Sequence, residues 1–283
     1  MTSAASPKAH IREAVQDVLP SVRADLEALV RIPSVSADPA LKDEVRRSAE
    51  ATAELFRAEG FDVAILSSGE GAPAVVAKKP APPGAPTVLL YAHHDVQPVG
   101  DRASWESEPF EPTERGERLY GRGAADDKAG IAAHLAAIRA LGSNLPVGVT
   151  VFVEGEEEVG SPTLEAFLAE HKETLAADVI VIADSTNWDV GLPALTTTLR
   201  GNVDVFVDVE TLDHGVHSGM WGGLVPDAMM AMVRLLSTLH DDEGNVAVEG
   251  LVSGPASDVD YPEDRVRAES SLLDGVSLSG SGS

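Results

Sequence analysis

The stretch TVLLYAHHDVQP, residues 87–98, passes directly from a largely apolar run, which predicts a strand at residues 87–92, into polar and charged residues. An apolar run of this length is typical of a strand that is buried on both faces of a sheet. Two later stretches have the same form, because residues 147–153 lead into EGEEEVGSP and residues 178–183 lead into Asp184. Since the carboxyl ends of parallel strands meet at one edge of a sheet, we expect these three polar ends to converge.

Strand and helix patterns alternate through the first part of the chain. Helices are predicted at residues 7–32, 38–60, 128–141 and 162–175. Two further strands are predicted at residues 61–66 and 74–78. This alternation predicts an α/β fold, in which helices flank a mainly parallel sheet.

The pattern changes after Arg200. Residues 202–210 alternate like a half-exposed antiparallel strand, and residues 225–240 have the pattern of a helix. A chain of 283 residues is long enough for a second domain. We therefore predict one domain in residues 1–200 and a second in residues 201–283.

Composition excludes several classes of function. The formal net charge of −25 repels nucleic-acid phosphates and anionic lipid surfaces, so neither is an expected partner. The chain has no cysteine, so a metal site has to use His, Asp and Glu. It has no leader-like apolar segment and no run of about 20 apolar residues, which predicts a cytoplasmic protein. The usual motifs of serine hydrolases, zincins and P-loop proteins are absent.

The polar ends of the three strands are rich in groups that bind metals. We expect one cleft to hold His93, Asp95, Glu157, Glu158 and Asp184. A fourth segment, LYGRGAADDKAG, adds the adjacent carboxylates of Asp126 and Asp127. Crowded carboxylates raise one another's pKa, and a pair of divalent cations bridged by one carboxylate would remove this repulsion and activate a bound water.

The geometry of a strand separates the expected roles of His93, His94 and Asp95. Side chains two residues apart lie on the same face, so His93 and Asp95 are expected to act together while His94 points away. Imidazole is the better ligand for a zinc-like ion, and Asp95 is better placed to orient the ligand or the water. Of Glu157 and Glu158, one can bind metal and the other can accept a proton, and their spacing leaves both assignments open.

Four segments of the chain resemble the M20 metallopeptidases, and most closely their dipeptidase, carnosinase-like branch. They are H-x-D-V-Q-P at residues 93–98, LYGRGAADDKAG at 119–130, EGEEEVGSP at 154–162 and HSGMWGG at 217–223. The resemblance implies a zinc-peptidase-like catalytic domain in residues 1–200. It also implies the start of a smaller α+β lid and dimerisation domain in residues 201–283.

The resemblance further implies two divalent metal ions, which would be zinc, with manganese or cobalt as alternatives. His93 and Asp184 would bind the first ion, and Glu158 would bind the second. Asp126 would bridge both ions, and in this family the peptide bond after the bridging aspartate is often cis.

The resemblance also implies catalytic roles. Glu157 would be the general base in the hydrolysis of a dipeptide or related amide bond, and Asp95 would tune the site. His217 would reach the active site of the partner subunit in a homodimer. The alternatives are an N-acyl-amino-acid deacylase or carboxypeptidase of the same family, or a non-catalytic protein that uses the acidic cluster for metal binding or dimerisation.

One departure from the family concerns length. Family members are longer, and their later residues supply a last histidine to the second metal. Here the chain ends at Ser283, inside the expected lid. On this reading we expect the 283-residue chain to bind one metal well and a second weakly, and to show strongly reduced hydrolysis.

Overall fold

The computed structural model describes residues 7–197, 199, 201–252 and 261–278. The chain divides into two compact units, Met1–Thr198 and Leu199–Ser283. The catalytic and lid roles of the two expected domains stay predictions. Within the described residues, no helix is both long and apolar enough to cross a membrane.

A five-stranded sheet organises the first unit, and a small hairpin accompanies it. The strands are β1 Asp62–Leu66, β2 Ala74–Lys79, β3 Thr87–His93, β4 Thr113–Arg115, β5 Arg118–Tyr120, β6 Gly148–Glu154 and β7 Val179–Ile182. The order in the large sheet is β1-β2-β6-β3-β7, while β4 and β5 form the hairpin. β3 pairs in parallel with β6 and β7, and β2 runs antiparallel to β1 and β6. Only β2 therefore opposes the common direction, which confirms the predicted α/β fold with its mainly parallel sheet.

The described residues of this unit form four α-helices: α1 Pro7–Val30, α2 Lys42–Ala58, α3 Lys128–Leu141 and α4 Leu164–Glu170. A short 3-10 turn capped by the Asp38 side chain precedes α2. The first three helices confirm their predictions closely. α4 is shorter than the predicted helix at residues 162–175, because the backbone turns after His171.

The apolar core lies on both faces of the sheet. β6 is buried along its whole length, which explains its continuous apolar sequence. Val151 and Val153 point into one cluster with Phe56 and Leu135, whereas the intervening Phe152 packs with a second cluster on the opposite face. β6 pairs with β3 so that Glu154 lies opposite His93, and the carboxyl ends of the two strands therefore lie side by side.

The second unit contains the helices α5 Ser218–Trp221, α6 Ala228–Ser237 and α7 Glu263–Ser270. α6 begins at its Asp227 cap and confirms a shorter form of the predicted helix at residues 225–240. The predicted strand at residues 202–210 is wrong, since these residues form no strand. Phe206 is 98% exposed there. An isolated strand is not stable, and the described residues of this unit include no strand that could pair with it.

Candidate metal centre

His93 is the last residue of β3, and its side chain is completely buried. Its Nδ1 atom lies 3.1 Å from the backbone oxygen of Asp95 and 3.3 Å from the Asp95 Oδ1 atom. Both neighbours are acceptors, so this pattern assigns a hydrogen to Nδ1. In the neutral imidazole the lone pair then lies on Nε2, the atom that faces the carboxylates.

Three carboxylates surround His93 Nε2, each from a different segment. The distances from this nitrogen are 3.1 Å to Asp126 Oδ1, 3.8 Å to Glu157 Oε2 and 4.0 Å to Asp184 Oδ2. Asp126 precedes α3, Glu157 begins the turn after β6, and Asp184 follows β7. The parallel pairing of β3 with β6 and β7 brings these strand ends to one edge, as the sequence pattern predicts.

The donor set around His93 fits a divalent cation. Two triads have ligand atoms that all lie within 4.8 Å of one another: His93 with Asp126 and Glu158, and His93 with Asp127 and Asp184. Imidazole nitrogen and carboxylate oxygen are the ligands that zinc, manganese and cobalt accept. Among the described residues, no lysine or arginine forms an ion pair with these carboxylates. A bound cation is therefore the partner that would balance their charge.

Asp95 is fully buried and connects two of the polar ends. Its Oδ1 atom accepts a hydrogen bond from the backbone N–H of Glu157 at 3.3 Å, and its Oδ2 atom accepts one from Glu158 at 3.1 Å. Burial by itself raises the pKa of Asp95, but the groups around the carboxylate, of which the His93 hydrogen bond has the largest effect, together outweigh burial and hold the pKa below its usual range. Asp95 thus stays ionised and orients both His93 and the glutamate turn.

Asp127 has a structural role that the sequence pattern left unassigned. It is the N-cap of α3, where its Oδ1 atom accepts from Gly130 N at 3.1 Å. Its Oδ2 atom accepts from His93 N, also at 3.1 Å, and so joins α3 to the end of β3. The Asp126–Asp127 peptide bond is cis, as the family resemblance implies. An aspartate directly before a helix is the signal that could have identified this cap.

The charges of the cluster perturb one another. Burial lowers the pKa of His93, but the Asp95 hydrogen bond and the negative charges around the ring outweigh burial and raise the pKa to about 10. Burial raises the pKa of Asp127 to about 7. It also raises the pKa of Glu157 and of Glu158. Repulsion from neighbouring carboxylates adds to the effect of burial on these three acids, whereas the charge of His93 opposes it.

Lys128 is a further residue that the sequence pattern did not single out. Its side chain is completely buried, and Nζ donates to the carbonyl oxygens of Leu29 at 2.8 Å and Ile32 at 2.7 Å. Burial lowers the pKa of Lys128 to about 7. The side chain joins the beginning of α3 to the end of α1, which fixes the segment that carries Asp126.

The remaining site predictions fall outside this cluster. His94 points away from the carboxylates, and its Nε2 atom donates to Pro73 O at 2.7 Å, which confirms the expected alternation. His217 belongs to the second unit, where it caps α5 and its Nδ1 atom accepts from Gly219 N at 3.0 Å. The action of His217 on a partner subunit stays a prediction.

The profile of peptidase family M20/M25/M40 matches residues 89–272. The chain therefore belongs to this family, and the resemblance seen in the sequence is confirmed.

Curated relatives of this chain agree with the family. The chain is 39% identical over 225 residues to a cysteinylglycine-S-conjugate dipeptidase from Corynebacterium striatum, a match that covers 78% of this chain and 50% of the relative. The chain spans about half the length of the curated relatives that it matches.

The solved structures that are similar to this chain include a dipeptidase and a carboxypeptidase. Human carnosine dipeptidase 1 is 25% identical with a TM-score of 0.69, and the match covers 95% of this chain and 62% of that one. The M20 family metallo-carboxypeptidase Sso-CP2 from Sulfolobus solfataricus is 26% identical with a TM-score of 0.68, and the match covers 89% of this chain and 59% of that one.

Proposed function

We propose that this protein hydrolyses the peptide bond of dipeptides with the help of divalent cations held at the edge of its sheet. The observation that carries the proposal is the convergence of three carboxylates on His93 Nε2 within 4.0 Å. The dipeptidases among its relatives support the substrate class.

The proposed ligands are His93, Asp126, Glu158 and Asp184, and we propose two zinc ions. When bound, the cations would polarise the scissile carbonyl and make a water molecule more acidic. Asp126 has a largely exposed side chain, which leaves its carboxylate accessible from solvent. The homodimer and the cytoplasmic location stay predictions from the sequence.

Glu157 is the proposed general base. Its Oε2 atom lies on the same side of His93 as the other carboxylates, and its side chain remains partly exposed to an incoming substrate. Glu157 would accept a proton from the attacking water at this oxygen. It would then donate that proton to the leaving amine as the carbon–nitrogen bond breaks. Asp95 keeps Glu157 in reach by accepting the hydrogen bond of its backbone N–H.

Metal analysis and a peptide assay test this proposal together. The protein, reloaded with zinc after treatment with a chelator, is expected to retain the metal and to cleave, at the reduced rate expected from the sequence, members of a panel that contains cysteinylglycine, its S-conjugates and carnosine. Glu157→Gln should retain zinc and lose turnover, whereas Asp184→Asn should lose zinc affinity. A protein that takes up no zinc, or a Glu157→Gln variant with unchanged turnover, would contradict the proposal.

A carboxypeptidase is the second candidate, because Sso-CP2 matches nearly as well as the dipeptidase structure. The same chemistry at the metal would serve both reactions, since specificity depends on the groups that hold the rest of the substrate. Longer peptides with free and blocked N-termini distinguish the two. A carboxypeptidase releases the last residue of either, whereas a dipeptidase acts on dipeptides alone.

A further inference from the structure

Gln97 lies four residues after His93 and directs every one of its N–H donors to Glu158. Its backbone N–H donates to Glu158 Oε1 at 3.1 Å. Its side-chain nitrogen donates to Glu158 Oε2 at 2.8 Å and to the Glu158 backbone oxygen at 3.0 Å. A glutamine has one backbone N–H and two side-chain N–H donors, so all three donors of Gln97 bind to Glu158.

We infer that Gln97 is a positioning residue that holds the Glu158 carboxylate in the orientation required to bind a cation. The inference rests on the proposed function, because it takes Glu158 as a metal ligand. Residues that form hydrogen bonds with a metal ligand commonly fix its orientation. They affect metal affinity although they do not contact the ion.

The hydrogen bonds leave the carboxylate able to bind. Each Glu158 oxygen accepts one hydrogen bond from Gln97 and has two lone pairs, so one lone pair on each oxygen stays available. The amide of Gln97 is neutral and does not cancel the charge that attracts the cation. A lysine or arginine at this position would form a competing ion pair.

The two glutamates of the turn are held differently. Asp95 binds the backbone N–H of both Glu157 and Glu158. Gln97, two residues after Asp95, donates to the side chain of Glu158 but not to that of Glu157. Among the described residues, no hydrogen bond holds the side chain of Glu157. The Glu158 carboxylate, held in one orientation, is suited to binding a metal ion. The Glu157 carboxylate, without such hydrogen bonds, is suited to accepting and donating a proton. This difference gives a physical reason for assigning the two roles, which the spacing of the glutamates left open.

Calorimetric titration with Zn²⁺ tests the inference without any measurement of activity. The full chain is compared with Gln97→Met, which removes the side-chain donors but keeps the length, and with Glu158→Gln and the double variant. Gln16→Met is the matched control, because Gln16 is the chain's other glutamine and lies on α1. Urea unfolding checks that each variant is folded. Gln97→Asn, which shortens the side chain by one methylene, replaces Gln97→Met if the latter does not fold.

We expect Gln97→Met to lower zinc affinity about 10- to 100-fold at the site that Glu158→Gln also weakens. The double variant should bind zinc no more weakly than Glu158→Gln alone. Gln16→Met should leave the affinity unchanged. An affinity of Gln97→Met within about twofold of the original, or an equal loss in the Glu158→Gln background, would overturn the inference alone. If the unmodified chain takes up no zinc, the proposed function itself is wrong, so the two failures are distinguishable.

Discussion

Acid should destabilise this protein partly through His94, which is completely buried next to His93 of the candidate metal centre. Its Nε2 atom donates to Pro73 O, while its Nδ1 atom has no hydrogen-bond partner in the described part of the chain. A second proton would therefore create a buried charge and a donor without an acceptor. Burial accordingly lowers the pKa of His94 to about 4 in the folded protein.

The magnitude follows from proton linkage. An unfolded histidine has a pKa of about 6.5, so between about pH 6.5 and about pH 4 the unfolded state binds more protons than the folded state. The contribution of His94 to the free energy of unfolding is complete above pH 6.5 and is lost as the pH falls towards the folded pKa. At pH 4 the loss amounts to about 3 kcal/mol.

His94→Gln provides the test, because its amide can still donate to Pro73 O but does not titrate. Urea unfolding is measured from pH 7 to pH 4 in the presence of a chelator. The original protein should lose about 3 kcal/mol more than His94→Gln over this range, while His10→Gln, on the exposed side of α1, should follow the original. Parallel curves for the original protein and His94→Gln would refute the argument that His94 is buried in its neutral form.

Three further changes have predictable outcomes. Gly130→Ala places a Cβ closer than 3.0 Å to Ala183 O and to the Asp127 carboxylate. It should therefore lower the free energy of unfolding by about 1–3 kcal/mol. An unchanged midpoint of urea unfolding would contradict this close packing. Lys128→Met leaves the carbonyls of Leu29 and Ile32 without their buried donor and should destabilise by about 1–3 kcal/mol in the same assay; equal stability would show that water replaces Nζ. Zinc at a hundredfold excess over its Kd should raise the free energy of unfolding by about 2.7 kcal/mol, and a thermal melt that does not respond to zinc would argue against a site formed only in the folded state.

Much of the first unit could be predicted from local pattern. All five strands of the large sheet were predicted within one residue at each end, because buried apolar runs and turn residues are local signals. The alternation of strands and helices also predicted that the polar ends would meet, since the direction of parallel strands follows from the connections between them. The strand predicted at residues 202–210 failed because a strand depends on a partner, which its own sequence does not specify.

The sequence by itself determined which chemical groups are present at the ends of the strands: an imidazole and an excess of carboxylates without a thiol. Only the tertiary structure decided their tasks. Asp127 caps α3 and Lys128 joins α3 to α1, while Gln97 holds Glu158 but not Glu157. The reason is physical, since the role of a polar group depends on which donors and acceptors lie within about 3 Å, and these come from segments far apart in the chain.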